Sequence, residues 1–250
     1  MLCCREYRVC YHFATVLLLA HDFGAAVEYG KLSVELPVPS EDIAVNSTKG
    51  FLMLAESAKS GHAESYRQLS IHYVTQNSQS YCSIASLTMM LNAAKRPAPV
   101  AKVFSPYPYW IQDDVLKSAC AASVTTPKQV NEHGLTLPHA AELASCYIHT
   151  VPVHAAQASI KKFIQTAKYA VSSTKEFMTA NFQRSGLDEY GGGHFSPIAA
   201  YHESTNSFLV MDVSRYKYPP VWVNAEVLFK AMNTTDSVSG LSRGWFTISQ

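Results

Sequence analysis

The chain has 250 residues, a net charge of +1, a pI near 7.7 and a hydrophobic fraction of 48%. Without a basic excess nothing is available to neutralise a run of phosphates, which excludes a nucleic-acid binder built on electrostatics. The apolar content supports one sizeable core or two small lobes, and the composition is that of an ordered globular protein.

The N-terminus opens with "MLCCREYR", carrying Arg5 and Arg8, and continues into the apolar run "FATVLLLA" and the small residues of "GAAV". A positive start, a short apolar centre and small residues near a cleavage point resemble a secretory signal peptide over residues 1–26. The run is too short for a membrane span, so no stable membrane anchor is expected. This pattern predicts a periplasmic or secreted protein with its functional domain over 27–250. Glu6 and His12 favour the alternative, a cytoplasmic chain starting in an ordinary helix. Six cysteines occur, none in a two-residue-spaced pair, which argues against a zinc ribbon. A chain of this length has enough core without staples, so a Cys120–Cys146 disulfide is the disfavoured alternative to free thiols.

From "LPVPSED" the chain reads as extended, and residues 48–73 read as two helices broken at Gly61. The polar loop "VTQNSQSY" then gives way to a helix with Ile84, Leu87, Leu91 and Ala94 on one face, stopped at "KRPAP". Residues 100–125 read as loop with helical turns. Two short helices around Gly134, a strand in "YIHTVPVHAA" and a helix in "SIKKFIQTAKYA" follow. The last third is strand-like in "HFSPIAAYH", "SFLVMDVSR" and "GWFTIS", with "ESTN" as a turn and "NAEVLFKAM" as a helix. The order implies an α+β chain, a helical half followed by a mostly antiparallel half.

Cys82 stands where the polar loop becomes the apolar helix. A helix N-terminus and a nearby imidazolium both favour thiolate, so this is a position suited to a nucleophile. His194 follows three glycines at the mouth of a strand, and Asp212 lies inside an apolar strand, where a carboxylate needs a partner. If His202 faces Ser207 across a tight turn, Asp212 falls on the opposite face from His194. A bulge or a one-residue shift brings them together. Gln76 could donate to an oxyanion beside the Cys82 N–H. The order Gln, Cys, His, Asp is that of papain-like thiol enzymes. His149 and His154 are read as structural.

The stretches "TQNSQSYCSIASLTMMLNA", "HGLTLPHAAEL", "GGGHFSPIAAYHESTNSFLVMDVSRYKYPPVWV" and "TTDSVSGLSRGWF" resemble the phytochelatin synthase family, in its short single-domain bacterial form, over most of residues 31–250. The resemblance implies a papain-like two-lobed fold with the cysteine on the helical lobe and histidine and acid on the sheet lobe. It implies Cys82 as nucleophile, His194 as general base, Asp212 as orienting acid and Gln76 in the oxyanion hole. Asp236 and Arg243 would read the amino and carboxylate groups of a γ-glutamyl residue, with Asn181 as a further substrate contact. Arg215, beside Lys217 and Tyr218, would contact a second thiol substrate or pack at the lobe junction.

The implied reaction is transfer of γ-glutamylcysteine from glutathione to water or to a second γ-glutamyl thiol peptide. No cofactor is implied for hydrolysis, and cadmium or zinc would enter as a metal–thiolate complex of the substrate. A homodimer is an open alternative to a monomer. A peptidase acting on other peptides, or a non-catalytic thiol- or metal-binding module, are the rival readings. Two departures stand out. Ser83 replaces the family's usual glycine after the nucleophile, and Glu189 and Tyr190 replace its common glutamine–glycine ahead of the histidine.

Overall fold

A computed structural model describes residues 36–250, so the stretch read as an export signal lies outside the described residues. After a two-residue strand β1 (Ile43–Ala44) come α1 (Thr48–Lys59) and α2 (Glu64–Leu69). Helix α1 starts where the Ser47 hydroxyl accepts from the Gly50 N–H, satisfying one of the free donors of the first turn. The polar loop leads into α3 (Cys82–Ala93). Three short helices follow, α4 (Ala119–Val124), α5 (Pro127–His133) and α6 (Leu137–Ser145). A Thr126–Gln129 capping box starts α5 and Gly134, at φ 67°, ends it. Strand β2 (His149–His154), helix α7 (Ile160–Val171), strands β3 (Glu176–Gln183), β4 (Gly193–His202), β5 (Ser207–Val210) and β6 (Val221–Asn224), helix α8 (Ala225–Met232) and strand β7 (Gly244–Ser249) complete the described chain.

The seven strands form one antiparallel sheet in the order β1-β6-β5-β4-β3-β7-β2. Successive residues of a strand point to opposite faces, and the two faces fill two cores. Phe177, Phe195, Leu209, Trp222 and Phe246 meet the N-terminal helices on one face. Met178, Phe208, Val223 and Trp245 meet Phe163 of α7 and Leu228 of α8 on the other. The expected α+β class is therefore observed, with helices on both faces of the sheet. Every residue of α3 is buried, whereas the apolar spacing predicts a single buried face. The sheet lies against one side of α3 and neighbouring helices and loops cover the rest, so its polar residues Ser83, Ser86, Thr88 and Asn92 are buried along with the apolar ones.

Between β4 and β5 the pairing runs His202 to Ser207, Tyr201 to Phe208 and Ala200 to Leu209, then steps from Ala200 to Ile198 opposite Val210. The tight turn and the bulge are thus both present, and the bulge turns the chain beyond Val210 toward His194. Strands β3 and β6 are absent from the sequence reading. Seven of the eight residues of "EFMTANFQ" are not β-branched, and "VWVN" is short and preceded by two prolines, so neither shows the alternation that marks a half-buried strand.

Cys120 and Cys146 form a disulfide, against the expectation of free thiols. Helices α4 and α6 pack side by side, bringing the two Cα atoms to 5.7 Å, within bridging range. The bridge closes a loop of sequence separation 26, for which chain entropy gives about 3 kcal/mol. Changing both cysteines to serine is expected to lower the urea unfolding midpoint by that amount of stability, and an unchanged midpoint would count against the bridge.

Candidate active site

Cys82 is the first residue of α3 and is buried. Among the described residues its backbone N–H has no backbone acceptor, as the first turn of a helix dictates. Burial alone would raise the thiol pKa. A hydrogen bond and the positive charge from His194, with backbone N–H bonds from Phe195 and Ser83, outweigh it and hold the thiol below its ordinary value. Helix α3 is pinned to the sheet at this level by the Ser86 hydroxyl, which bonds to the Cys82 and Phe195 carbonyl oxygens at 2.8 and 3.3 Å.

His194 is the second residue of β4, buried behind Gly193. Its Nε2 lies 2.9 Å from Asp212 Oδ1 and 2.9 Å from the Ser196 hydroxyl. An ionised carboxylate only accepts, so Nε2 carries the proton and Nδ1 is the nitrogen left for the thiol. Burial pulls the imidazole pKa down, and the Asp212 charge more than reverses it, so His194 sits above its ordinary value. Asp212 is buried as well. Oδ1 also accepts from the Ser214 N–H at 2.7 Å and from Arg184 Nη2 at 3.0 Å, and Oδ2 accepts from Arg184 Nη2 at 2.7 Å. Burial disfavours the charged carboxylate, yet His194, Arg184 and the Ser214 N–H hold it below the usual carboxylate range. The Arg184 guanidinium completes a buried chain by donating through Nη1 to Glu189.

A cleft of about 880 Å³ opens beside Cys82 and is lined by Asn181, Gly193, His139, Asp236 and Arg243 among others. The Asn181 amide nitrogen donates to the His194 carbonyl at 3.1 Å, while its Oδ1 is buried without a partner. Arg243 gives an N–H to the Thr235 carbonyl at 2.8 Å and keeps a buried, unpartnered Nε. It packs against Gly193, where a Cβ would stand 2.7 Å from the guanidinium as placed. Asp236 Oδ1 caps the Val238 N–H at 2.9 Å. Residues bearing a carboxylate and a guanidinium thus line one cleft with the thiol, complementary to a zwitterionic ligand.

A family model for phytochelatin synthase matches residues 33–245. The chain belongs to the phytochelatin synthase family. It is 34% identical over 213 residues to glutathione gamma-glutamylcysteinyltransferase 3 of Lotus japonicus, covering 85% of this chain and 43% of that protein. It is 33% identical over 217 residues to glutathione gamma-glutamylcysteinyltransferase 1 of Triticum aestivum, covering 86% and 42%. The glutathione gamma-glutamylcysteinyltransferase of Schizosaccharomyces pombe is 28% identical over 224 residues, covering 89% and 52%. The chain spans about half, or less, of the length of these relatives.

Within this member of the phytochelatin synthase family, six of the eight residues expected in the site meet around Cys82: Cys82, His194, Asp212, Asn181, Asp236 and Arg243. Gln76 and Arg215 do not line that cleft. The Gln76 amide nitrogen donates to the Ser78 carbonyl at 2.7 Å and to the Tyr216 hydroxyl at 2.9 Å, and its Oε1 accepts from Ser214. Arg215 stacks 4.7 Å over the Tyr73 ring and lines a separate cavity of about 370 Å³ with Tyr216 and Tyr218. Ser83, at the family's glycine position, has a buried hydroxyl with no partner. Arg184, Ser196 and Ser214 went unread in the sequence. A lone arginine at a strand end and serines in an apolar run carry no spacing signal, and only the buried carboxylate makes them necessary.

Cys82 is expected to react with iodoacetamide at pH values below those of a free thiol. In His194→Ala the lowering partner is gone while burial stays, so the midpoint of alkylation against pH moves up, past that of an ordinary cysteine. A midpoint identical in the two proteins would show that His194 does not act on the thiol.

Proposed function

We propose that this chain transfers the γ-glutamylcysteinyl group of glutathione through a thioester on Cys82. The observation that carries this is the convergence of the Cys82–His194–Asp212 chain with Asp236, Arg243 and Asn181 on one cleft. The relatives' printed name supports the choice of glutathione. The frame is read as papain-like, with α3 supplying the thiol and the sheet supplying histidine and acid.

Asp236 and Arg243 hold the amino and carboxylate groups of the γ-glutamyl end. The Cys82 thiolate attacks the carbonyl of the Cys–Gly amide. The Cys82 N–H receives the developing oxyanion, and Gln76 joins it by exchanging its bond to Tyr216. The tetrahedral adduct collapses with cleavage of the amide C–N bond. The imidazolium gives its Nδ1 proton to the departing amine and glycine leaves. His194 then takes a proton from water, giving γ-glutamylcysteine, or from the amine of a second glutathione, giving the longer peptide. In both cases the thioester C–S bond breaks and the thiolate is restored. Asp212 keeps the ring oriented and stabilises its charged form.

Among the described residues no group of three or more His, Cys, Asp or Glu side chains is arranged to hold a metal ion. Cadmium or zinc enters this reading only as a thiolate complex of the substrate. No described helix is long and apolar enough to cross a membrane. The Cys120–Cys146 bridge supports residence in an oxidising compartment, in line with the signal-like N-terminus.

Purified protein incubated with glutathione is expected to release free glycine, and Cys82→Ala to release none. Reversing the charges with Asp236→Arg and Arg243→Asp should abolish this turnover, while Arg243→Ala should raise KM by about 10- to 100-fold through loss of one charge-assisted contact. Retained cleavage of unrelated peptides in the charge-reversed protein, with no glycine from glutathione in the parent, would establish a general peptidase instead.

A further inference from the structure

Behind Asp212 the charged chain does not end at Arg184. Glu189 is buried with its side chain almost wholly out of solvent, and its carboxylate takes an N–H of Arg184. The segment carrying it wraps around the arginine. The Arg184 N–H bonds to the Gly192 carbonyl and the Glu189 N–H to the Arg184 carbonyl, both at 3.1 Å. Asp188 turns the chain at φ 55°. The Tyr190 N–H donates to the Tyr218 hydroxyl at 2.7 Å, and the Tyr218 ring lies 5.3 Å from the guanidinium. Gly191, at φ 134°, passes so close that a Cβ would stand 2.8 Å from Arg184 Cδ. One arginine is thus held by two buried carboxylates, Asp212 on its Nη2 and Glu189 on its Nη1.

We propose that Glu189 is a positioning residue, acting through Arg184 and Asp212 to set the pH window in which the Cys82–His194 pair is reactive. Charges alternate along the chain: imidazolium, Asp212, Arg184, Glu189. With Glu189 ionised, Arg184 is balanced and Asp212 keeps its charge for His194. With Glu189 neutral, Arg184 carries a full uncompensated charge a few ångströms behind Asp212. That charge draws on Asp212, disfavours the imidazolium and favours the thiolate. Both events then occur at lower pH. The other groups whose charges act in this neighbourhood are Asp42, Asp188 and Lys217. Asp42, ahead of β1, has one buried oxygen without a partner and is raised to about 7 by burial and then by Glu189, Asp188 and Glu41. Lys217 is lowered by burial and by Arg184. Burial likewise raises Glu189 itself, partly offset by Arg184.

The inference rests on the proposed thiol mechanism but not on glutathione as substrate, and the test separates the two. Glu189→Gln keeps the shape and an acceptor for Arg184 while removing the charge. In this variant the midpoint for iodoacetamide alkylation of Cys82 should fall by about half a unit to one unit. Both limbs of the pH profile for glycine release should fall with it, giving about three- to tenfold lower turnover above the parent's upper limb. Glu189→Asp keeps the charge and should restore the parent's midpoint. A folded Gln variant with an unmoved alkylation midpoint overturns the proposal, because a purely structural role would lower the melting temperature or the amplitude and leave the midpoint in place. An Asp variant that shifts as Gln does overturns it too. Should glycine never be released while the alkylation midpoint still moves, the role of Glu189 stands and the choice of glutathione falls.

Discussion

The rest of the structure is organised around one buried anion. Taking the Asp212 carboxylate out of water costs several kcal/mol unless its oxygens are bonded. Here they receive His194, Arg184 and the Ser214 N–H. The Ser214 N–H comes from Asp212's own segment, whereas His194 and Arg184 come from other parts of the chain. β5 stops at Val210, the bulge opposite Ile198 swings the chain toward β4, and the Met211 N–H closes the gap on the Pro197 carbonyl at 2.9 Å. The Tyr73 hydroxyl caps the Asp212 carbonyl from the loop that leads to Cys82. The helical half and the sheet half are thereby tied at the residue that orients the imidazole.

The cleft shows the complementary condition. The Arg243 Nε and the Asn181 Oδ1 are buried and unpartnered. Leaving such atoms unmade costs about 1–3 kcal/mol each, and nothing in the surrounding packing removes the cost. Beside them the Asp236 carboxylate and the Arg243 guanidinium line one cleft, a pair complementary to an amine and a carboxylate. That favours a ligand with both an amine and a carboxylate near its end over an apolar peptide of similar size.

Much of this was legible in the sequence because the chemistry leaves punctuation. Cys82 follows a polar loop and opens an apolar helix. His194 follows glycines, of which Gly191 is required by its backbone conformation beside Arg184 and Gly193 lies against the Arg243 guanidinium. Asp212 interrupts an apolar run. The helices with caps and breakers, α1, α5, α6 and α7, read correctly, as did the turn at 203–206. What was hidden is what three dimensions add. β3 is buried on both faces and so shows no alternation, and α3 is buried on all sides instead of one. Arg184 and Glu189 pair across five residues through a loop whose course follows from its hydrogen bonds alone. Gln76 is a different case: its sequence position points to the oxyanion, and Ser78, Tyr216 and Ser214 hold its amide here, so that role requires one of these bonds to be exchanged.

The disulfide has a place in the same logic. The outer wall of the cleft is built from the end of α4, from α5 and from the start of α6, with Val124, Thr125, Gln129, Thr136 and His139 facing the cavity. These helices have six, seven and nine residues. Helices of that length are not stable on their own, because the nucleation cost is spread over too few bonds. α4 buries only Ala121 and α5 only Val130. Apolar packing therefore does little to fix the α4 and α5 part of this wall, whereas α6 is anchored by Leu137, Ala140, Ala141, Leu143 and Ala144 and the other wall is formed by the sheet. A covalent link from Cys120 in α4 to Cys146 at the end of α6 constrains the segment that burial does not. The chain is large enough to fold around its core without a staple, which is why the sequence argued against one, but the segment that needs one is local and lines the site.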